Sequence, residues 1–390
     1  MGSEMCIRDR IGGQTLISAG ESDIFVSKFD ENGQFLWANR YGHVKNDIVH
    51  AMDFDTAGNI FVVGEYQDSS IIGLDTLDSE DTLWHGGRAN TYEALWFRLS
   101  PAGSLLEVWD GGWFGSEKLY DLYIDPRNNQ SYISGIYRTY NDWALNGQHW
   151  TAGHGRGYDD AIWIRSTGGQ IDYRGVAKGT FVDKGKALGL IDDSLVVMGG
   201  TFQDTCWFVD SVSYELGTFE DEVFVSCYND VGVFKWVTTG SSKGIDDLTA
   251  LVTDAQGNSY FAGRFDSVFT MGGMSITGSA KTDGFVGKID HNGQMVWLKA
   301  IAGKGFDHVQ EVRRTPSGDL LVTGYFQQEI DLGNGIMLEL ADSMDQNAFV
   351  IKMTDAGNFV WAKSLGGEAT DRGVSVFGAS NGYIYAMGTF

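Results

Sequence analysis

Positive charge is scarce in this chain: 28 Lys and Arg stand against 52 Asp and Glu, giving a net charge of −24 and a pI near 4.5. Phosphate binding needs a basic face, so nucleic acid is not expected as a partner. Cysteine is almost missing, with three in 390 residues. Cys206 and Cys227 fall in one repeat unit, where a disulfide would need an oxidising compartment. Cys227 also takes a position that is Lys or Arg in other copies, which weighs against pairing. No run of 18 or more apolar residues occurs, so no membrane-spanning helix is expected. Helical periodicity is lacking too, and the 53 glycines would each cost a helix about 1 kcal/mol relative to alanine. No H-E-x-x-H, no P-loop and no G-x-G-x-x-G in a strand–helix context is present. No cofactor and no metal site are expected.

What the chain does contain is repetition. DIFVSKFDENGQFLW (Asp23–Trp37) returns as EVFVSCYNDVGVFKW (Glu222–Trp236), DGFVGKIDHNGQMVW (Asp283–Trp297) and NAFVIKMTDAGNFVW (Asn347–Trp361). Looser copies start at Glu93 and Asp160, so the six starts are spaced by 70, 67, 62, 61 and 64 residues. A second motif alternates with it: DTAGNIFVVGEY (Asp55–Tyr66), DAQGNSYFAGRF (Asp254–Phe265), TPSGDLLVTGYF (Thr315–Phe326) and ASNGYIYAMGTF (Ala379–Phe390), with irregular copies at Asp125–Tyr137 and Asp192–Phe202. Each motif reads as a β-hairpin, because runs of Val, Ile, Phe and Tyr flank a turn that ends in glycine. Apolar residues at consecutive positions, as in Ile24–Val26, imply strands covered on both faces. Two hairpins per period make a four-stranded unit. A four-stranded sheet repeated at fixed period is a propeller blade. The expectation is an all-β protein, a β-propeller of four-stranded antiparallel blades, with six blades in this chain and seven or eight left open for the native one. The terminal hairpins are complementary halves, so they are expected to share a blade and close the ring.

The pairing of GN-x-Y-V-x-G-x-F with D-x-F-V-x-K-x-D-x-x-G-x-x-x-W resembles the bacterial β-propeller repeat called SBBP, over almost all of residues 11–390. The resemblance implies a large secreted or surface protein of a Bacteroidetes-like bacterium, hence an extracellular or cell-surface location. It carries no catalytic residues. Residues 1–10 are set aside: GSEMCIRDR matches the translation of a sequencing-library adapter. Residues 11–390 then read as a single propeller domain, truncated at both ends.

Residues repeated in every copy build the scaffold. That applies to the closing aromatics (Trp37, Trp109, Tyr173, Trp236, Trp297 and Trp361), which are expected to pack between blades. It applies equally to the bases Lys28, Arg98, Arg165, Lys288 and Lys352, and to the acids Asp47, Glu117, Asp246, Asp307 and Asp371. These charges are read as salt bridges or turn hydrogen bonds that fix one blade against the next. The competing reading is a ring lining a channel or holding calcium.

A site is therefore sought in the connections. The two longest linkers, Gln67–Tyr92 and Arg138–Asp160, carry Trp84, His85, Trp143, His149, Trp150 and His154. LNGQHWTAG (Leu145–Gly153) aligns with IGGQTLISAG (Ile11–Gly20), which places His149 and Trp150 on a shared strand. Trp84, His85, Trp143 and His154 remain as ligand-binding candidates, since loop tryptophans can stack on sugar rings. Trp84 and Trp143 are expected to be more exposed than the repeat tryptophans. His149, His154 and Asp159 match no zinc spacing. Asp75, Asp78, Glu80 and Asp81 lack calcium-loop geometry and read as a solvated acidic loop. The resulting expectation is a monomeric, non-catalytic binding or display module of a larger protein, with an unidentified protein or glycan ligand. The alternative is a carbohydrate-active propeller enzyme with an acid pair at the central channel.

Overall fold

The computed structural model describes residues 8–11, 14–30, 34–42, 45–67, 69–72, 75–78, 92–111, 117–138, 142–145, 148–151, 158–168, 170–192, 194–209, 212–215, 220–340, 345–367 and 370–389. Every regular element among them is a β-strand. Two compact units divide the chain, residues 1–174 and 175–390. The strand Arg8–Ile11 takes in three residues of the segment set aside as adapter-derived.

Each full repeat is a glycine hairpin (the G-x-aromatic motif) followed by a tryptophan hairpin. The cleanest case is a sheet in the order His308–Arg314, Leu320–Phe326, Asn347–Met353, Phe359–Leu365. Its two central strands are buried almost throughout, as are Ile60–Gln67 and Glu222–Asn229. That is the covered-on-both-faces pattern the apolar runs imply; Ile24–Val26 departs from it, with Phe25 54% exposed between two buried neighbours. Adjacent repeats share their cores. Val197, Phe261, Phe285 and Leu298 belong to one buried cluster, and Val286, Trp297, Val322 and Phe349 to the next.

The turns follow the motif. Gly58, Gly257 and Gly318 have φ of 79°, 87° and 91°, a left-handed conformation that costs glycine little. The irregular copy DPRNN puts Asn129 at φ 58° instead. In the regular turns an aspartate holds the loop: Asp55 Oδ1 accepts the N–H groups of Ala57 and Asn59 at 2.9 and 2.8 Å.

Repeats are stitched together at three levels. First, the main-chain N–H of each recurrent acid donates to the carbonyl just before the tryptophan hairpin of the preceding repeat. Asp47 reaches Ser22 (2.8 Å), Glu117 reaches Tyr92 (2.9 Å), Asp246 reaches Asp221 (2.9 Å), Asp307 reaches Thr282 (2.9 Å) and Asp371 reaches Gln346 (2.7 Å). Second, a repeat tryptophan donates its indole N–H to a turn carbonyl of the next tryptophan hairpin: Trp37 to Pro101 (3.3 Å), Trp236 to His291 (3.0 Å) and Trp297 to Asp355 (3.1 Å). The turn glycine of that hairpin lies against the ring, so Gly103, Gly293 and Gly357 have both a positive φ and no room for a Cβ. The aromatics therefore pack between blades as expected. Tyr173 is the exception, 40% exposed with the Arg165 guanidinium 4.4 Å above its ring.

The third level corrects the view of the linkers as non-repeating. Each linker forms a small hairpin of its own, a strap. Straps occur at Ser69–Asp78, Asp142–Thr151, Thr205–Glu215, the outer half of Ser259–Met271 with Met274–Ile276, and Glu329–Glu339. Several hem the last strand of the preceding repeat: Leu145 pairs with Gly111, Cys206 with Gly179, and Met271 with Gly240, while Ile330 bridges Gly303. The hairpin Arg8–Ile17 has the same form. Cys206 sits on a strap and Cys227 on a central strand; both are buried free thiols, so the disulfide considered from sequence is not formed. Burial pushes the Cys227 thiol up to about 12, which leaves it unreactive.

The terminal hairpins, Ile24–Tyr41 and Arg372–Thr389, are each a two-stranded sheet. Among the described residues neither ladder has a third strand.

Candidate functional site

The glycine of the G-x-aromatic motif has a steric cause. A Cβ at Gly64, Gly135, Gly200, Gly263, Gly324 or Gly388 would fall on a carbonyl oxygen of the neighbouring strand, that of Ile48, Lys118, Lys184, Asp247, His308 or Arg372 respectively. That neighbour is the first strand of the repeat, the leading strand, and it bulges at this point. The ladder skips one residue in every copy: His50, Tyr120, Lys186, Thr249, Gln310 and Val374. A one-residue bulge twists a strand and re-aims a side chain, and bulges gather next to functional sites. Replacing Gly263 by alanine forces the bulge to move, and a loss of about 1–3 kcal/mol is the expected outcome in urea denaturation, with Gly367, where a Cβ meets nothing and φ is ordinary, as control.

The bulge positions are the ones that differ from copy to copy. So do the residues two before them: Ile48, Lys118, Lys184, Asp247, His308 and Arg372. Scaffold residues recur; these do not. In the unit of residues 1–174, Glu65 is buried and takes Lys118 at 2.7 Å and His50 at 3.5 Å. Burial pushes its carboxyl up, but hydrogen bonds from His50 and Lys118 outweigh that and hold it below the usual range. The bulged His50 and Tyr120 of successive leading strands meet with ring centroids 5.2 Å apart.

In the unit of residues 175–390, the leading strands Lys184–Ile191, Asp247–Thr253, His308–Arg314 and Arg372–Gly378 pack in order, each against the next. Their first turns carry a continuous charged strip. Lys186 holds Asp247 at 2.5 Å, and Arg264 approaches the same carboxylate at 3.8 Å. His308 stacks on Tyr325 (5.2 Å, 19°), and the Arg372 guanidinium lies 4.9 Å from the Tyr325 ring. Lys184 pairs with Asp221 at 3.2 Å. Burial, the nearby Arg264 and then Lys186 keep His308 neutral, with its pKa lowered to about 4 against the pull of Asp247.

The recurrent acids lie beneath. Each is one residue before the variable position and is buried. Asp307 is hydrogen-bonded to Asp283, and Asp246 to Glu222. Burial raises Asp307 to about 8, with the Asp283 charge adding to it; burial raises Asp246 to about 7. Two buried carboxyls at such a contact share a proton. At the last repeat an asparagine, Asn347, faces Asp371 across Gly366 instead. The recurrent bases go elsewhere: Lys288 to Asp355 (2.9 Å), Lys352 to Asp319 (2.8 Å), Arg98 to Glu107 (3.0 Å), Arg165 to Asp172 (3.7 Å), and Lys28 to the Pro101 carbonyl (2.9 Å). The architectural reading of these charges stands, with the bases bonded to turn residues and strand neighbours. Among the described residues no group of three or more His, Cys, Asp or Glu could hold a metal ion.

Of the four residues singled out from sequence, Trp84, His85 and His154 lie outside the described residues. Trp143 is on the strap strand Asp142–Leu145, paired with Trp150, and its side chain lies outside them too. The expected exposure contrast therefore meets only its repeat half: Trp297 is 9% exposed, while Trp37, Trp236 and Trp361 are half-buried. The expectation of no G-x-S-x-G is corrected by the pentapeptide Gly240–Gly244, which carries that string. It joins two strands rather than a strand and a helix, and Ser242 Oγ accepts the Gly244 and Asp266 N–H groups, so it is no nucleophile elbow.

No protein-family model matches the chain. The chain is an all-β protein of propeller-type blades. An uncharacterised WD repeat-containing protein of Acanthamoeba polyphaga mimivirus is 27% identical over 134 residues, which is 32% of this chain and 9% of that protein's length. Among solved structures, a glucose dehydrogenase aligns at 10% identity with a TM-score of 0.37, covering 83% of this chain and 96% of its own. A Synechocystis apocarotenoid oxygenase variant aligns at 14% identity with a TM-score of 0.39, covering 92% and 74%.

Proposed function

We propose that the chain is a non-catalytic binding or display module of a larger secreted or cell-surface bacterial protein of the SBBP-repeat kind. The observation that carries this reading is the division of labour inside each repeat. Recurrent polar groups are consumed in blade-to-blade ties, while the bulge of each leading strand carries a residue that changes from copy to copy, exposed at His50, Gln310 and Val374 and tied to the next leading strand at Lys186 and Thr249. An acid–base enzyme needs two carboxyls free to act on a substrate. The acids with raised pKa here are scaffold members, buried and hydrogen-bonded to their neighbours. The variable acids Glu65 and Asp247 are each held by lysine.

Trp84, His85, Trp143 and His154 complete the reading as a second contact region on the linkers, suited to a glycan. The test is a glycan array probed with the full chain and with Trp84→Ala and Trp143→Ala. Bound signals that fall at least about tenfold in either variant support a linker contact. Signals unchanged in both remove these residues from the site. A chain that retains no glycan and no protein from bacterial surface extracts sinks the binding-module reading itself.

A further inference from the structure

We infer that copies of this chain join head to tail, the first hairpin of one copy, Ile24–Tyr41, completing the sheet begun by the last hairpin of another, Arg372–Thr389. Such a junction is independent of the binding-module reading. Among the described residues, five glycine hairpins pair with the tryptophan hairpin that follows, always in one register. The glycine of G-x-aromatic faces the third residue of the tryptophan motif: Gly64 faces Leu95, Gly135 faces Ile162, Gly200 faces Phe224, Gly263 faces Phe285 and Gly324 faces Phe349. Those five partners are at most 1% exposed. The fit is close, since a Cβ at Gly200 or Gly263 would fall 3.0 or 2.9 Å from the facing ring.

One glycine and one apolar partner are left over. Gly388 has no facing strand among the described residues, and Phe25, the third residue of its motif, is 54% exposed. On the last hairpin Tyr385 is 59% exposed, whereas its counterparts Phe61, Tyr132, Val197, Tyr260 and Leu321 are buried. Beside the first hairpin Val49 is exposed, whereas its counterparts Leu119, Leu248 and Val309 are buried. Leu248 lies against Gly199, which stands in the column of the exposed Met387. One junction therefore covers Phe25, Val49, Tyr385 and Met387 together. Its register follows from the other five: Gly388 against Phe25, Ala386 against Ser27 and Ile384 against Phe29. All four side chains are bare within a single chain, so the occupant is a second copy. The complementarity expected to close a ring within one chain acts here between chains. An open strand edge is a template for another strand. Ile384–Thr389 carries no charge and Ile24–Phe29 a single lysine, so the edges themselves add little to the repulsion between chains of net charge −24. A donor hairpin and an acceptor edge on the same chain make a heterologous contact, which propagates head to tail.

The experiment is light scattering on the full chain over about 1–100 µM, in salt that screens the net charge. The expected result is a mass that rises with concentration above the 42.8 kDa of one chain. Phe25→Glu and Met387→Glu should each stay single chains. An equimolar mixture of the two should form a dimer, because one variant keeps the acceptor edge and the other the donor hairpin. Both positions are exposed in one chain, so the dilute variants should melt with the dilute unaltered protein; one that does not is replaced by Phe25→Ser or Met387→Ser. A single-chain mass at every concentration overturns the inference. Assembly that survives Phe25→Glu also overturns it, since the edge then has another occupant. A mixture of the two variants that stays monomeric rules out the head-to-tail register and overturns it as well.

Discussion

Trp297→Ala is expected to lower the stability of the chain by about 3–5 kcal/mol, the range for deleting a large buried aromatic. The ring is 9% exposed and belongs to a cluster that joins two successive repeats. Its indole N–H donates to the Asp355 carbonyl at 3.1 Å, and Gly357 lies flat against its face. Truncation opens a void between blades and leaves that carbonyl without its donor. Neither hairpin can close the gap, since Lys288 also ties to Asp355 from the same side. Trp361 is the internal control. It ends the last tryptophan hairpin and is half-buried against a small cluster of Leu321, Val350 and Val376. Trp361→Ala should cost about 1–2 kcal/mol. Equal losses in urea titration at the two positions would show that the junction adds nothing beyond ordinary burial.

Stability is expected to fall as pH rises from about 5 to about 8. Asp307 has a folded pKa of about 8 and Asp246 of about 7, against 3.8 for the ordinary aspartate. The folded state therefore holds protons that the unfolded chain has released, and each such group removes about 1.4 kcal/mol per pH unit between those limits. His308 works in the opposite direction: its pKa falls from 6.5 to about 4, so it favours folding as pH rises through that window. The net fall is thus roughly even up to about pH 7 and shallower above it, with a total on the order of 4 kcal/mol by pH 8. Asp307→Asn mimics the pairing already present at Asn347 and Asp371, and keeps a donor for Asp283. That variant should flatten the upper part of the profile. Melting temperatures at pH 5, 6.5 and 8 decide the matter; a wild-type profile that rises over this range would contradict the shared protons.

Much of the scaffold was legible because single residues answered to single backbone demands. The glycines at D-x-x-G turns report a left-handed φ, and those of G-x-aromatic report a strand that crowds them. Tryptophan at fixed phase reported the junction. The bulge was not legible, since it exists only in the pairing of two strands: nothing in AMDF or ALVT marks His50 or Thr249 as skipped. The straps were missed because their strands share little beyond a tight turn, as in MGGM. The strip was missed for a different reason. Sequence reasoning looked for a site outside the repeats, whereas the variable residues lie inside them, one step after an acid that recurs. Aligning the copies column by column and asking which column refuses to repeat would have found it.

The straps also give the protein a direction of assembly. A strap is synthesised after the strand it hems, and it leaves the chain midway through the following repeat. A nascent repeat is therefore sealed only when half of its successor has emerged from the ribosome. Until then its last strand has a bare rim, and the next stretch of polypeptide to appear is the one shaped to cover it. Growth and closure run in the same sense along the chain.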